Sequence, residues 1–375
     1  PDITILSEYV LRFALFAYVL DLDTKKYYYL YVRLCGQPHW CWRYFFMEME
    51  LLNKRVERLL NEVRTLAVER ARDAEGIECA LRARSLHDDS LSEWQPFVNG
   101  SEWGGEHRWW DFRFNVTAPE GYTGKQLFLE ITTGCEGAWD ATNPQFLAYV
   151  DGKVRQAIDT NHTTVLLGSD VKPGTVFGIY LKGYCQTGAG NFARMRARTI
   201  EVAENVMQLY YDVRVPLEAA ELLPRETRPR LLAFQAMSDA LNQLDLRDPG
   251  SDEFYKSVDA AREYMKREYY DKLCDKEPEV IANCVGHTHI DVAWLWDLEQ
   301  TRHKAVRSFS TVIELMRRYP EYIFMSSQPV LYKFVKEDAP ELFEEIKKRV
   351  EEGRWECEGG MWLEADCNLA GGESL

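Results

Sequence analysis

The sequence predicts a multidomain protein that joins an all-β domain to an α/β domain. Three changes of rhythm carry that reading. Between residues 85 and 200, short alternating runs are broken by glycine-containing turns, which suggests a β-sandwich, jelly-roll-like, domain. Between 201 and 278, apolar residues recur at helical spacing, which reads as a helical connector. From 279 to 375, apolar strand runs alternate with amphipathic helices, which implies parallel strands joined by right-handed crossovers. Residues 1–84 are assigned to a helical N-terminal region. A chain of 375 residues is long enough for two or three domains of roughly 100–200 residues.

The elements follow in order. Glu48 to Arg82 reads as a packing helix, because Leu51, Val56, Leu59, Leu60, Val63 and Leu66 recur at near-helical spacing among charges. Trp110, Phe112 and Phe114 alternate with polar neighbours, as do Leu127, Leu129 and Ile131. Phe146 to Val150 and Val176 to Leu181 are further strand runs. The Trp109-Trp110 pair is assigned to the sandwich core rather than to sugar binding, because its neighbours alternate. Val202, Val206 and Leu209 mark one connector helix, Leu231 to Leu241 a second, and Asp252 to Lys272 a charged third. In the last region, Val280 to Val285 reads as a strand and Asp297 to Tyr319 as a helix. Tyr322 to Met325 reads as a second strand. Pro340 opens a helix that Gly353 ends, and Arg354 to Cys357 is a third strand. Arg302, His303, Lys304 and Arg307 are expected on a solvated helix face.

Composition narrows the function classes. A net charge of −15 argues against nucleic acid as a partner. The apolar stretch Tyr9 to Leu20 contains Arg12 and is shorter than the ~20 residues of a membrane span, so no membrane partner is expected. The nine cysteines are odd in number and form no C-x-x-C, which suits reduced thiols in a cytoplasmic protein. Glycosylation is not expected at the sequons of Asn99, Asn115 and Asn161.

The chemistry sits at strand ends. In parallel α/β folds, sites form where strands end at their carboxyl side. His287, His289 and Asp291 follow the first strand of the last region, and Glu364 and Asp366 follow the third. Imidazole and carboxylate together suit zinc in an open geometry. In an extended segment, residues two apart share a face, so His289 and Asp291 can reach one ion, and His287 lies on that face too. Asp366 is the best further partner within the chain. Trp294 and Trp296, just past the run, suit a packed core and a sugar-stacking wall equally.

These residues resemble a known family. The run Gly286-His287-Thr288-His289-Ile290-Asp291-Val292-Ala293-Trp294 is similar to the opening metal motif of glycoside hydrolase family 38, the α-mannosidases. Arg307-Ser308-Phe309-Ser310-Thr311, Ser327-Gln328-Pro329, Tyr332, Gly353-Arg354-Trp355-Glu356 and Gly359 to Asp366 fit the same pattern. Gly137 to Gln145 and Asp159-Thr160-Asn161-His162 resemble the β-rich N-terminal domain of its cytosolic or bacterial-type branch. The resemblance covers roughly residues 25–375 and is most specific over 286–375.

It implies that residues 279–375 begin a (β/α) barrel catalytic domain. It implies zinc, or another divalent metal such as cobalt, held by His289, Asp291 and Asp366, with His287 outside the ligand set. Asp366 would also be the nucleophile of a retaining reaction, and Trp294 would stack on the sugar in the −1 subsite. A retaining scheme needs a second carboxyl group about 5–5.5 Å from the first as acid and then base. The implied substrate is a mannose-containing oligosaccharide. The family's remaining histidine ligand and its acid/base fall beyond Leu375, so little or no activity is expected of residues 1–375 alone. A homo-oligomer or a complementing C-terminal portion is the expected partner. Two other classes compete. An amidohydrolase-like metallohydrolase would use both His287 and His289 as ligands. A non-catalytic carbohydrate-binding protein would rely on residues 85–200.

Overall fold

The computed structural model describes residues 38–82, 90–105, 107–122, 125–137, 144–185, 192–224, 227–274 and 281–364. It mixes helices with antiparallel and parallel sheets and divides into two compact units. One unit is helical, built from residues up to Glu69 and from Ala203–Glu279. The other combines Arg70–Val202 with Val280–Leu375. The Tyr9 to Leu20 stretch and Asp366 lie outside the described residues.

The helical unit packs helices Pro38–Leu66, Glu204–Leu222, Arg228–Leu241 and Asp252–Met265. Val56, Leu60 and Val63 fall on one face of the first helix and are buried, as the spacing predicts. Ser251 caps the last helix by accepting a hydrogen bond from the Phe254 N–H (3.2 Å), and Asp252 and Glu253 add acidic charge to its first turn. A π-helical turn, Lys266–Tyr270, extends that helix. The long helix expected over Glu48 to Arg82 instead ends at Leu66, and Val68–Asp73 and Glu78–Arg82 are strands. The apolar residues that carry the helical period stop at Leu66, and beyond them the chain runs as strands, the second ending in a buried Arg82. It is neutralised by Asp111, whose carboxylate accepts two guanidinium hydrogen bonds in a pair 2% and 1% exposed.

The second unit begins with two antiparallel sheets. One has the strand order Val68–Asp73, Arg196–Val202, Gln126–Thr132, Thr164–Gly168. The other runs Gln95–Pro96, Glu78–Arg82, Arg108–Thr117, Val176–Cys185, Gln145–Val150, Lys153–Ile158. Their facing sides share one core, with Phe112, Phe146, Leu181, Leu127, Leu129 and Ile131 fully buried in it. Gly183 sits opposite Trp110 in the strand register. A side chain there would press on Phe146 and Trp103, which explains a small residue in mid-strand. Asn99 holds the loop after Gln95–Pro96 to the four-stranded sheet: its amide donates to the carbonyls of Ala74 (3.0 Å) and Ala197 (2.7 Å) and accepts from the Ala197 N–H (2.8 Å).

The last segment forms a three-stranded parallel sheet, Gly286–His287, Phe324–Ser326 and Trp355–Cys357. Helix Leu298–Arg318 joins the first pair, and two helices, Pro329–Asp338 and Pro340–Glu351, join the second. The helix Pro329–Asp338 goes beyond the sequence reading, although Pro329 at its first position and Val330, Leu331, Phe334 and Val335 along it carry the signal. The strand expected over Val280 to Val285 is not formed in its described part. Residues 281–285 are exposed without regular structure, and pairing starts only at Gly286. Among the described residues the first strand pairs only with Phe324–Ser326, and residues 281–285 before it have no strand partner there.

Helix Leu298–Arg318 is buried on two sides. Toward the parallel sheet, Phe309 meets Phe324, Tyr332 and Trp355 at centroid distances of 6.3, 5.2 and 5.1 Å. Toward the six-stranded sheet, Thr311 Oγ1 accepts from the Ala157 N–H (3.0 Å), and Leu147 joins the helix's apolar cluster. Trp109 meets His303 edge-on at 4.9 Å, while Trp110, one residue on, packs against the sandwich core. The strand is therefore covered on both faces at the tryptophan pair, and only Trp110 of the pair is in the expected place.

This overturns the solvated face expected for Arg302, His303, Lys304 and Arg307. His303 is 0% and Arg307 6% exposed. Arg302 binds Asp338 (2.9 Å) and Glu337 (2.9 Å), and Lys304 lies 4.2 Å from the Trp296 ring centroid. A helix shared by two sheets has little face left for water, so charge along it does not mark exposure.

Burial pushes the His303 imidazole well below its ordinary range, and Arg307, Lys182 and Lys304 add to the effect. The folded protein therefore keeps His303 neutral at pH values where the unfolded chain, with an ordinary value of ~6.5, takes up a proton. The resulting stability is present above ~6.5 and is lost as pH falls below it. Urea midpoints should drop between pH 7.5 and 5.5, and His303→Gln should flatten that drop. An equal slope in the variant would show that His303 is not its source.

Candidate functional site

The sequence of the last segment places its polar residues at the carboxyl ends of three parallel strands. Gly286 is needed at the first of these ends, because any side chain there would collide with the Tyr322 ring. Its N–H donates to the Ile323 carbonyl (2.8 Å), which aligns the chain entering His287. Beyond it, Ile290 is buried (4% exposed) while His289 and Asp291 on either side are partly exposed. The alternation expected of an extended segment is present: the apolar residue anchors the run and its polar neighbours share the open side.

His289 is the centre of the cluster. Its Nε2 lies 3.0 Å from Asp291 Oδ1, and its Nδ1 lies 2.7 Å from Glu364 Oε2. The first pair joins two residues of one loop. The second joins the loops after the first and third strands. Ser327, after the middle strand, donates its hydroxyl to the other Glu364 oxygen. All three strand ends thus meet at one imidazole and one carboxylate.

Gln328 fastens this arrangement from beneath. It is 3% exposed, its amide donates to the Ile290 carbonyl (3.0 Å), and its Oε1 accepts from the Glu364 N–H (3.3 Å). Gln328 has a φ of 63°, and Ala293 has a φ of 45°. Both are left-handed conformations that cost a non-glycine residue about 1 kcal/mol or more, and here they flank the site. The carbonyl of Ser326 accepts from the Tyr332 hydroxyl (2.8 Å), which in turn accepts from Trp355 Nε1 (2.9 Å). Burial pushes the Tyr332 phenol up, so it stays a proton donor. Arg354 closes the floor by donating to the carbonyls of Met316 (3.0 Å), Tyr319 (2.9 Å) and Tyr322 (3.3 Å), which satisfies the end of helix Leu298–Arg318.

The other sequence-selected residues lie around this cluster. Trp294 is 56% exposed, and its ring meets Trp296 edge-on at 5.4 Å. Trp296 is held by its own Nε1, which donates to the Asp291 carbonyl (3.1 Å). Trp362 is 55% exposed beside Glu364. His287 ends the first strand and makes none of the contacts that define the cluster. Asp366, two residues past the last described one, is outside the described residues.

The donor set suits a divalent ion of the zinc type. Two ligands on tetrahedral zinc, with bonds of ~2.0–2.2 Å, lie roughly 3.3 Å apart. The 3.0 Å between His289 Nε2 and Asp291 Oδ1 is close to that separation. Among the described residues no group of three His, Cys, Asp or Glu side chains is placed to hold a metal ion. Ser327, Gln328 and Glu364 are what sequence reasoning left without a role. Their signal was that Ser327 and Gln328 fall in Ser327-Gln328-Pro329, after a strand, and that Glu364 follows the third strand.

An imidazole and two carboxylates thus gather over parallel strand ends, and the comparisons show what this segment is similar to. The model of the glycosyl hydrolases family 38 N-terminal domain matches residues 279–375. α-Mannosidase G of Dictyostelium discoideum is 37% identical over 49% of this chain, and the α-mannosidase of Saccharomyces cerevisiae is 36% identical over 44%. The human α-mannosidase 2C1 is 28% identical over 71%. This chain spans 16% of the length of the first two relatives and 26% of the third. The β-glucuronidase of Faecalibacterium prausnitzii aligns at a TM-score of 0.27 and 10% identity, covering 36% of this chain and 32% of that one, too slight a likeness to carry an argument. Residues 279–375 therefore match the family 38 N-terminal domain, and the relatives found are α-mannosidases, in line with the resemblance of the motif around His289.

Gln328→Ala should remove both amide contacts beneath the site while keeping the left-handed φ. We expect a loss of about 1–3 kcal/mol in denaturant unfolding, with faster amide exchange at residues 288–291 and 361–364. Unchanged exchange in both loops would show that Gln328 does not fasten them.

Proposed function

We propose that this chain forms the N-terminal part of a retaining α-mannosidase, acting on terminal α-mannosyl residues of oligosaccharides in the cytoplasm. The observation that carries the reading is the convergence of His289, Asp291 and Glu364 at parallel strand ends, within a segment of the family 38 N-terminal domain. The parallel strands would be the start of a (β/α) barrel, and the two antiparallel sheets a jelly-roll-like sandwich ahead of it. The cytoplasmic setting rests on the cysteine pattern, and Cys79, Cys135, Cys185, Cys274, Cys284 and Cys357 carry free thiols.

In this reading His289, Asp291 and Asp366 hold zinc, which would supply Lewis-acid binding of sugar hydroxyls. Asp291 and Asp366 bring negative charge to balance the cation, and His289 brings a neutral nitrogen. Asp366 attacks the anomeric carbon, the leaving-group oxygen takes a proton, and a mannosyl ester forms on the Asp366 carboxylate. Water then attacks the same carbon and releases mannose with its original anomeric configuration. The exposed Trp294 ring supplies an apolar face for the sugar. The acid/base and a further histidine ligand would come from outside residues 1–375, in keeping with the greater length of the relatives.

The test uses the full-length protein that contains this chain. It should bind zinc and hydrolyse an aryl α-mannoside. Asp366→Asn should lower kcat by at least ~10³-fold, the scale expected when a nucleophile is lost. Mass spectrometry after quenching with a slow fluoromannosyl substrate should find the adduct on the peptide carrying Asp366. An adduct on another carboxylate, or full activity in the variant, would remove Asp366 from the mechanism. Zinc lost as fully by His287→Ala as by His289→Ala would favour the amidohydrolase-like alternative.

A further inference from the structure

We propose that Glu364 is a positioning residue that fixes the His289 imidazole for metal binding, with Ser327 holding Glu364 in turn. The proposal rests on the reading of His289 as a metal ligand. The two ring nitrogens of an imidazole point in diverging directions, so a metal and an orienting partner occupy opposite sides of the ring. Asp291 lies on the Nε2 side (3.0 Å) and Glu364 on the Nδ1 side (2.7 Å). An ion shared by His289 and Asp291 therefore binds at Nε2, and Glu364 is left on the far side of the ring. It accepts the Nδ1 proton there, which sets the tautomer that presents the Nε2 lone pair and makes that nitrogen a stronger donor.

The carboxylate is itself held at both ends. The Ser327 hydroxyl donates to Glu364 Oε1, leaving Oε2 for the histidine. The Glu364 N–H donates to the buried Gln328 amide, whose other end holds Ile290, the residue between the two ligands. The backbone of the Glu364 loop and that of the His289 loop are thus joined through one side chain. Ser327 and Gln328 lie at the end of the middle strand, so the register of the parallel sheet sets the position of the imidazole. Glu364 is 39% exposed in its side chain, which keeps it replaceable without opening a core.

The experiment compares the full-length wild-type protein with Glu364→Gln and Ser327→Ala by competing each for zinc against a chelator. Glu364→Gln keeps the shape and an acceptor oxygen but removes the charge. We expect it to weaken zinc binding about 10-fold or more, as loss of an outer-shell partner does, with an unchanged urea midpoint. Ser327→Ala should weaken it less. The visible spectrum of the cobalt(II)-loaded protein should shift in Glu364→Gln, which a purely structural role would not cause. In metal-free protein with ¹⁵N-labelled histidine, the Nδ1 resonance of His289 should move in the variant. Zinc affinity in Glu364→Gln within about twofold of wild type, with wild type binding normally, overturns the positioning role alone. A wild-type protein that binds no zinc overturns the metal-site reading and the positioning role with it. An unmoved Nδ1 resonance overturns the contact itself.

Discussion

A helix that covers a parallel sheet normally turns its other side to water. Helix Leu298–Arg318 has a second sheet there instead. Its Thr311 accepts from the backbone of a strand of the six-stranded sheet, its His303 packs edge-on against Trp109, and its Phe309 packs on the Phe324 and Trp355 rings of the parallel strands. The helix is held on both sides, and its end is closed by Arg354, which immediately precedes the third strand of the sheet that the helix covers. The loop before it, carrying His289 to Trp296, is therefore attached to a rigid body. A catalytic group displaced by an ångström can lose much of its effect, so this clamping is what makes a site on loops precise.

The site repeats the same logic at smaller scale. Each strand end contributes one member of a chain of contacts: Ser327 to Glu364, Glu364 to His289, His289 to Asp291. None of these residues is deeply buried, and exposed pairs of this kind stabilise little by themselves. Their geometry is set by Gln328 and by the left-handed turns at Gln328 and Ala293. Strain and a buried amide thus sit directly beneath polar groups that remain open to solvent, an arrangement in which the scaffold bears the energetic load and the exposed groups stay free for chemistry.

How much of this was legible in the sequence follows from which forces act locally. The alternation of Phe112 and Phe114, the helical pattern from Asp297 to Tyr319 and the Pro340 start are local signals, and each corresponds to an element that formed. The run Gly286 to Asp291 was legible as chemistry because two imidazoles and a carboxylate follow a strand. What failed was burial of charge. Arg82, His303 and Arg307 look like surface residues, and each is buried because a partner distant in sequence lies against it: Asp111 for Arg82 and the sandwich for the other two. The role of Glu364 was hidden for the same reason, since its partners Ser327 and His289 are 37 and 75 residues away and only the sheet register brings them together.

Asn99 carries one further consequence. It opens an Asn-Gly-Ser sequon, yet its amide nitrogen is fully occupied by the carbonyls of Ala74 and Ala197. A sugar attached to that nitrogen would remove a donor from the seam where strands Val68–Asp73 and Arg196–Val202 meet and force bulk into it. An enzyme that glycosylates nascent chains would meet Asn99 before the seam closes, so export through such a compartment would set modification and folding in direct competition at this one side chain.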